Sequence, residues 1–110
     1  MLSNISFAQA DSVIQAKIVD ADTTMADKHY NSGVTKLSNG QFKEAIADFD
    51  EAIGLKPGFE KAFFNRGVSK SELKDYSGAI VDFDSSLVIE KTGDGYFLRG
   101  QCFASLGDKE

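Results

Sequence analysis

Cysteine and histidine are almost missing from this chain. Cys102 has no second thiol to pair with, and one histidine, His29, is too few to complete a cysteine/histidine metal site. Long hydrophobic runs are absent too: none approaches the roughly 18 residues that a membrane-spanning helix needs, so no membrane insertion is expected. Clusters of positive charge are lacking, since 12 basic side chains face 17 acidic ones for a net charge of -5, which argues against a nucleic-acid partner. No nucleophile stands beside a base and no glycine loop is built to cradle phosphate, so the chain is expected to be no enzyme, with no catalytic residue, no metal and no cofactor. What remains is 110 residues, 42% apolar and 11% aromatic, enough for one modest core.

The single proline and the ten glycines punctuate the chain, and Gly33, Gly67 and Gly100 recur at an interval. Set against itself, the sequence matches best at an offset of 34 residues: Asn31, Gly33, Val34 and Lys36 return as Asn65, Gly67, Val68 and Lys70. Ala45, Ile46, Asp48, Phe49 and Asp50 return as Ala79, Ile80, Asp82, Phe83 and Asp84. A third copy begins at an offset of 33, where Tyr96, Phe97, Arg99 and Gly100 repeat Phe63, Phe64, Arg66 and Gly67. Within each unit the apolar residues have helical spacing: Ala45, Phe49, Ala52 and Ile53 form one stripe, Ala79, Phe83, Ser86 and Leu87 its copy. Each unit therefore holds two helices. The break falls at Ser38-Asn39-Gly40 in the first and at Leu73-Lys74-Asp75 in the second, with Asp75 as N-cap. Between units the stop signals are Gly54 to Gly58 around Pro57, then Thr92-Gly93-Asp94-Gly95.

A 34-residue helix-turn-helix unit with this residue pattern resembles the tetratricopeptide repeat, W-x2-L-G-x2-Y, then A-x3-F, then P. The first unit offers His29, Ser32, Gly33, Lys36, Ala45, Phe49 and Pro57, the second Phe63, Arg66, Gly67, Lys70, Ala79 and Phe83, and the third Tyr96, Arg99, Gly100 and Phe103. Departures are His29 for the large aromatic, Lys36 and Lys70 for the tyrosine, and Lys91 where proline belongs. The resemblance implies an all-α solenoid of stacked antiparallel helix pairs, about two and a half repeats. It divides the chain into a tail at 1–23, units at 24–59 and 60–92, and the first helix of an incomplete unit at 93–110. Gly33, Gly67 and Gly100 are then the points of close helix approach, faced by Ala45 and Ala79.

The same resemblance implies function: the first helix of each unit lines a concave groove that holds a protein or peptide. The groove positions carry Asp27, Tyr30, Asn31, Val34, Leu37 and Ser38; then Lys61, Phe64, Asn65, Val68, Ser71 and Glu72; then Asp94, Phe97, Leu98, Gln101, Ala104 and Ser105. Tyr30, Phe64 and Phe97 read either as an aromatic ladder for a ligand or as ordinary packing between helices. Chaperone adaptors of the family grip a terminal carboxylate with two lysines, two asparagines and an arginine. The corresponding residues here are Tyr30, Val34, Asn65, Asp94 and Leu98, of which only the asparagine matches, so carboxylate capture is not expected.

Other residues have plainer readings. Asp48, Asp50, Glu51, Asp82 and Asp84 read as a solvated outer face, Arg66 and Arg99 as ion-pair partners of Asp48 or Asp82, His29 as a half-exposed surface residue and Cys102 as an inert buried thiol. Ala8-Gln9-Ala10 after Met1 to Phe7 reads as the stub of a secretion signal, which implies export, or as a plain tail, which leaves the chain cytoplasmic. Ser12 to Ala21 has the caps and spacing of a short helix. Ser105 to Glu110 reads as a turn into a further helix, which predicts a natural chain that continues, and apolar Phe97, Leu98, Phe103 and Leu106 suggest a homo-oligomer through that open end. Two alternatives to the scaffold stand beside it: a regulatory or targeting segment of a larger protein continuing beyond Glu110, and a self-assembling structural module.

Overall fold

A computed structural model describes residues 24–107. The tail readings, the Ala8-Gln9-Ala10 stub and the short helix from Ser12, lie outside the described residues. Five helices and no strand make up the described part: α1 (24–38), α2 (Phe42–Leu55), α3 (Glu60–Glu72), α4 (Tyr76–Ile89) and α5 (Gly93–Ser105). Helix α1 pairs with α2 through Gly33 against Phe49 and Lys36 with Asp48, α3 pairs with α4, and α5 stacks on α4 with a smaller contact to α3.

Each helix follows from its apolar stripe and its ends. In α2 the fully buried residues are Ala45, Phe49 and Ala52, spaced four and three apart, which aligns them on one side of a 3.6-residue helix. Helix α4 repeats the stripe with Ala79, Phe83, Ser86 and Leu87. The turns between paired helices share one geometry. Gly40 takes φ +78°, Lys74 φ +66° and Gly107 φ +81°, the left-handed residue that ends α1, α3 and α5 in turn. After α1, Gln41 N–H donates to the Lys36 carbonyl at 2.8 Å; after α3, Asp75 N–H does the same to Lys70 at 2.9 Å. Asp75 caps α4 by accepting from Gly78 N–H at 3.0 Å, as its position in the sequence implies, and Thr92 caps α5 through Gly95 N–H at 3.0 Å.

Two core clusters lie along the stack. One gathers Ala26, Ala45, Phe49, Ala52, Phe59 and Ala62 from α1, α2 and the start of α3. The other gathers Ala79, Phe83 and Cys102 from α4 and α5, with Phe64, Val68 and Leu98 against it. The small residues of the repeat set the helix separation. A Cβ on Gly33 would stand 2.6 Å from Cε1 of Phe49, and one on Gly67 2.9 Å from Cε1 of Phe83, so the glycines receive the phenylalanine rings of their partner helices.

Helix α2 ends at Leu55, inside the stop expected at Gly54 to Gly58, and Pro57 and Gly58 turn the chain. Two sequence expectations need correction. Gly93, Asp94 and Gly95 form the first turn of α5 because Thr92 supplies the cap, and Gly95 is buried where a Cβ would meet Leu87 Cδ2 at 2.8 Å. Gly100 has nothing within 4 Å, since among the described residues no helix lies on that side of α5.

Candidate functional site

Helices α1, α3 and α5 present one face of the stack, and two adjoining recesses open along it. The larger, about 600 Å³, is lined by Asp27, Tyr30 and Asn31 of α1, by Lys56, Gly58 and Phe59 of the inter-pair turn, by Glu60 and Lys61 of α3, and by Ile89 and Glu90. The smaller, about 160 Å³, shares Glu60 and Lys61 and adds Phe64, Asn65, Thr92 and Asp94. A third recess of about 200 Å³ holds Ser71, Glu72, Leu98, Gln101 and Ser105 with Tyr76 and Cys102. Helical spacing explains the assembly: Asp27, Tyr30 and Asn31 are three and four apart, as are Lys61, Phe64 and Asn65, so each set lies on one side of its helix.

Of the groove residues named from sequence, Tyr30, Asn31, Lys61, Phe64, Asn65 and Gln101 line recesses. Val34 and Val68 are half-buried against the two core clusters instead. The aromatic ladder is broken. Tyr30 lies 5.8 Å from Phe49 and 4.9 Å from Phe59, and Phe64 meets Phe83 edge-on at 5.6 Å, so both rings help hold helices together while showing part of a face to the groove. Phe97 is 65% exposed, with no ring against it among the described residues. Asn65 is also engaged: its Nδ2 donates to the Tyr30 hydroxyl at 2.9 Å, joining the two pairs across the groove floor. Burial raises the Tyr30 hydroxyl pKa above its ordinary value, with the Asn65 bond working against that and the Glu60 charge adding to it.

Sequence reasoning missed Lys56, Phe59, Glu60, Ile89 and Glu90 as recess residues. The signal was there: Leu55 and Ile89 are equivalent positions, and the turn that follows each brings the chain back over the groove edge. The acidic residues of the second helices also differ from expectation. Only Asp50, Glu51 and Asp84 are exposed; Asp82 is 1% and Asp48 16% exposed at the side chain. Lysine at the repeat's tyrosine position is the cause. Lys36 Nζ reaches Asp48 Oδ2 at 2.8 Å, and Lys70 Nζ reaches Asp82 Oδ2 at 3.0 Å. Arg66 pairs with Asp82 as expected and also with Asp50, while Arg99 pairs with Asp84 through an Nε contact of 2.5 Å. His29 is half-exposed, 3.9 Å from Asp48, and burial pushes the Cys102 thiol pKa up, away from reactive thiolate.

Asp48 makes the acid response readable. Desolvation raises its pKa, but hydrogen bonds from Lys36 and Ser32, the latter at 2.6 Å, outweigh it and hold the carboxyl below its ordinary value of 3.8. A lowered folded-state pKa contributes stability above the unfolded value, which is lost as pH falls through the folded one. Asp48→Asn is therefore expected to be the less stable protein at neutral pH and to lose less stability than the parent below about pH 4, as read by urea melts across that range.

Residues 27–59 match the tetratricopeptide repeat family. No curated protein sequence matches the chain. Among solved structures, the TPR domain of Arabidopsis OM64 superposes with a TM-score of 0.76 at 23% identity, covering 78% of this chain and 72% of that one. The first TPR of Spaghetti (RPAP3), bound to the HSP90 peptide SRMEEVD, gives 0.73 at 20% identity over 76% of this chain and 68% of that one. Both are similar in fold.

Proposed function

We propose that these helix pairs are tetratricopeptide repeats and that the chain is a protein-interaction scaffold that holds a peptide segment of a partner along the α1, α3 and α5 groove, a reading supported by the family match at residues 27–59 and by the shared fold. The observation that carries this is the pair of adjoining recesses, which open where equivalent positions of successive units meet and combine apolar ring faces with exposed polar groups. The peptide held by the RPAP3 domain supports the partner class.

The bound segment in this reading is cationic and does not end in a gripped carboxylate. Asp27, Glu60, Glu90 and Asp94 line the two recesses against Lys56 and Lys61, and Lys56 lies 4.6 Å over the Phe59 ring. Asp94 stands where a carboxylate grip needs a cation, and Asn65 gives its amide to Tyr30. Two fluorescent peptides of equal length and apolar spacing test this by anisotropy, one rich in lysine, the other in glutamate with a free C-terminus. The lysine peptide is expected to bind about tenfold tighter at low salt, with the preference shrinking as salt screens it. Tighter binding of the glutamate peptide would reverse the charge reading, and binding of neither would remove the groove.

A further inference from the structure

Two residues of the turn between α2 and α3 make a contact that closing the turn does not require. Lys56 holds its ammonium 4.6 Å from the centroid of the Phe59 ring, and that ring meets Tyr30 at 4.9 Å, so the cation rests on an aromatic pair in the larger recess. One unit on, Glu90 ends α4 where Lys56 ends α2, and Thr92 precedes α5 where Phe59 precedes α3. The backbone closes alike in both: Lys56 N–H donates to the Ala52 carbonyl at 2.9 Å, and Glu90 N–H to the Ser86 carbonyl at 2.9 Å. Phe59 has a second duty in the first core cluster, whereas Lys56 is exposed.

The charges around this contact are unpaired. Among the described residues Lys56 has no carboxylate within 4.0 Å, and Asp27, Glu60 and Glu90 of the same recess have no cation within that distance. Glu60 gives Oε2 to the Ser86 hydroxyl at 2.6 Å. The aspartates of the second helices differ, since Asp48, Asp50, Asp82 and Asp84 each hold a lysine or arginine. We propose that the Phe59 ring is a cation subsite of the groove, that it takes a lysine ammonium of the bound segment, and that Lys56 is its occupant in the free chain. This rests on the reading of the groove as a holder of cationic segments. An incoming ammonium makes on Phe59 the contact that Lys56 makes, with Asp27 and Glu90 as its counter-charges, while Lys56 swings on its flexible stem into water. Lys56 thereby sets a threshold: a segment with no cation at that place leaves the ring covered.

Nuclear magnetic resonance on the unaltered chain reads the exchange directly. In the free chain the ε-methylene protons of Lys56 are expected upfield of those of an exposed lysine, because they lie over the Phe59 ring current. Saturation with the lysine-rich peptide is expected to return them to the exposed position, and the glutamate-rich peptide to leave them shifted. By anisotropy, Lys56→Gln is expected to tighten lysine-peptide binding about threefold, and that gain is expected to vanish in a Phe59→Leu chain whose helicity is intact by circular dichroism. Lys61→Gln removes the same charge from the same recess, and its smaller gain is expected to be indifferent to Phe59→Leu. A lysine peptide that binds while Lys56 keeps its upfield shift would overturn the subsite and leave the groove standing; no binding of that peptide would remove both. Equal gains from the two glutamine variants in both backgrounds would also overturn it, as would release of Lys56 by the glutamate-rich peptide.

Discussion

Asp82→Asn is expected to cost about 3 kcal/mol of stability, read as a lower urea midpoint at unchanged slope. The asparagine has nearly the same shape, so the loss is electrostatic. Asp82 is 1% exposed and takes a two-pronged contact from Arg66 together with Lys70 at 3.0 Å, three donors on one carboxylate. The neutral amide cannot accept from all three, and two cations are left facing each other. Arg66 and Lys70 keep 19% and 23% of their side chains in solvent, which sets the expected loss at the lower end for a broken buried pair. Asp50, which also touches Arg66 but is 55% exposed, provides the contrast: Asp50→Asn should cost less than about 1 kcal/mol.

Phe83→Ala is expected to cost about 3 to 5 kcal/mol, a large share of the 5 to 15 kcal/mol typical of a whole domain. The ring is fully buried, fills the space that Gly67 leaves and meets Phe64. Collapse around the cavity is limited because the helix separation is set by backbone at Gly67 and by buried Ala79. In a stack whose units touch only their neighbours, the damage should be local. Hydrogen exchange should therefore speed up across α3, α4 and α5 more than in α1 and in the part of α2 that surrounds Phe49. Equal loss of protection at Phe49 would mean that the two core clusters act as one.

Much of the fold was legible in the sequence because each repeat spells out its own packing. The Ala-x3-Phe stripe marks the buried side of α2 and α4, Gly33 and Gly67 mark the close approach, and Asp75 marks the start of α4. Gly40 announces its turn by residue type; Lys74 takes the same left-handed conformation without announcing it, because equivalence to Gly40 determines the turn. The buried acids were the larger omission. An aspartate beside the core stripe reads as solvent-facing until its counter-ion is identified, and here the clue was a recurrence: Lys36 with Asp48 and Lys70 with Asp82 stand at the same separation in both units. At the candidate site, α1 and α3 positions were legible from helical spacing. The Asn65 to Tyr30 bond between units, and the contribution of Glu60 and Glu90, depend on how one pair sits on the next, which no single-helix pattern encodes.

The central claim, that the groove of α1, α3 and α5 is where this chain holds a partner segment, is tested most directly by mapping a bound peptide onto the backbone amides. Titrating the isotope-labelled chain with the lysine-rich peptide should shift the amide signals of Tyr30, Asn31, Lys61, Asn65 and Asp94, leaving Val81, Ser85 and Val88 on the outer side of α4 in place. Shifts concentrated on α4, or spread evenly over the chain, would contradict it.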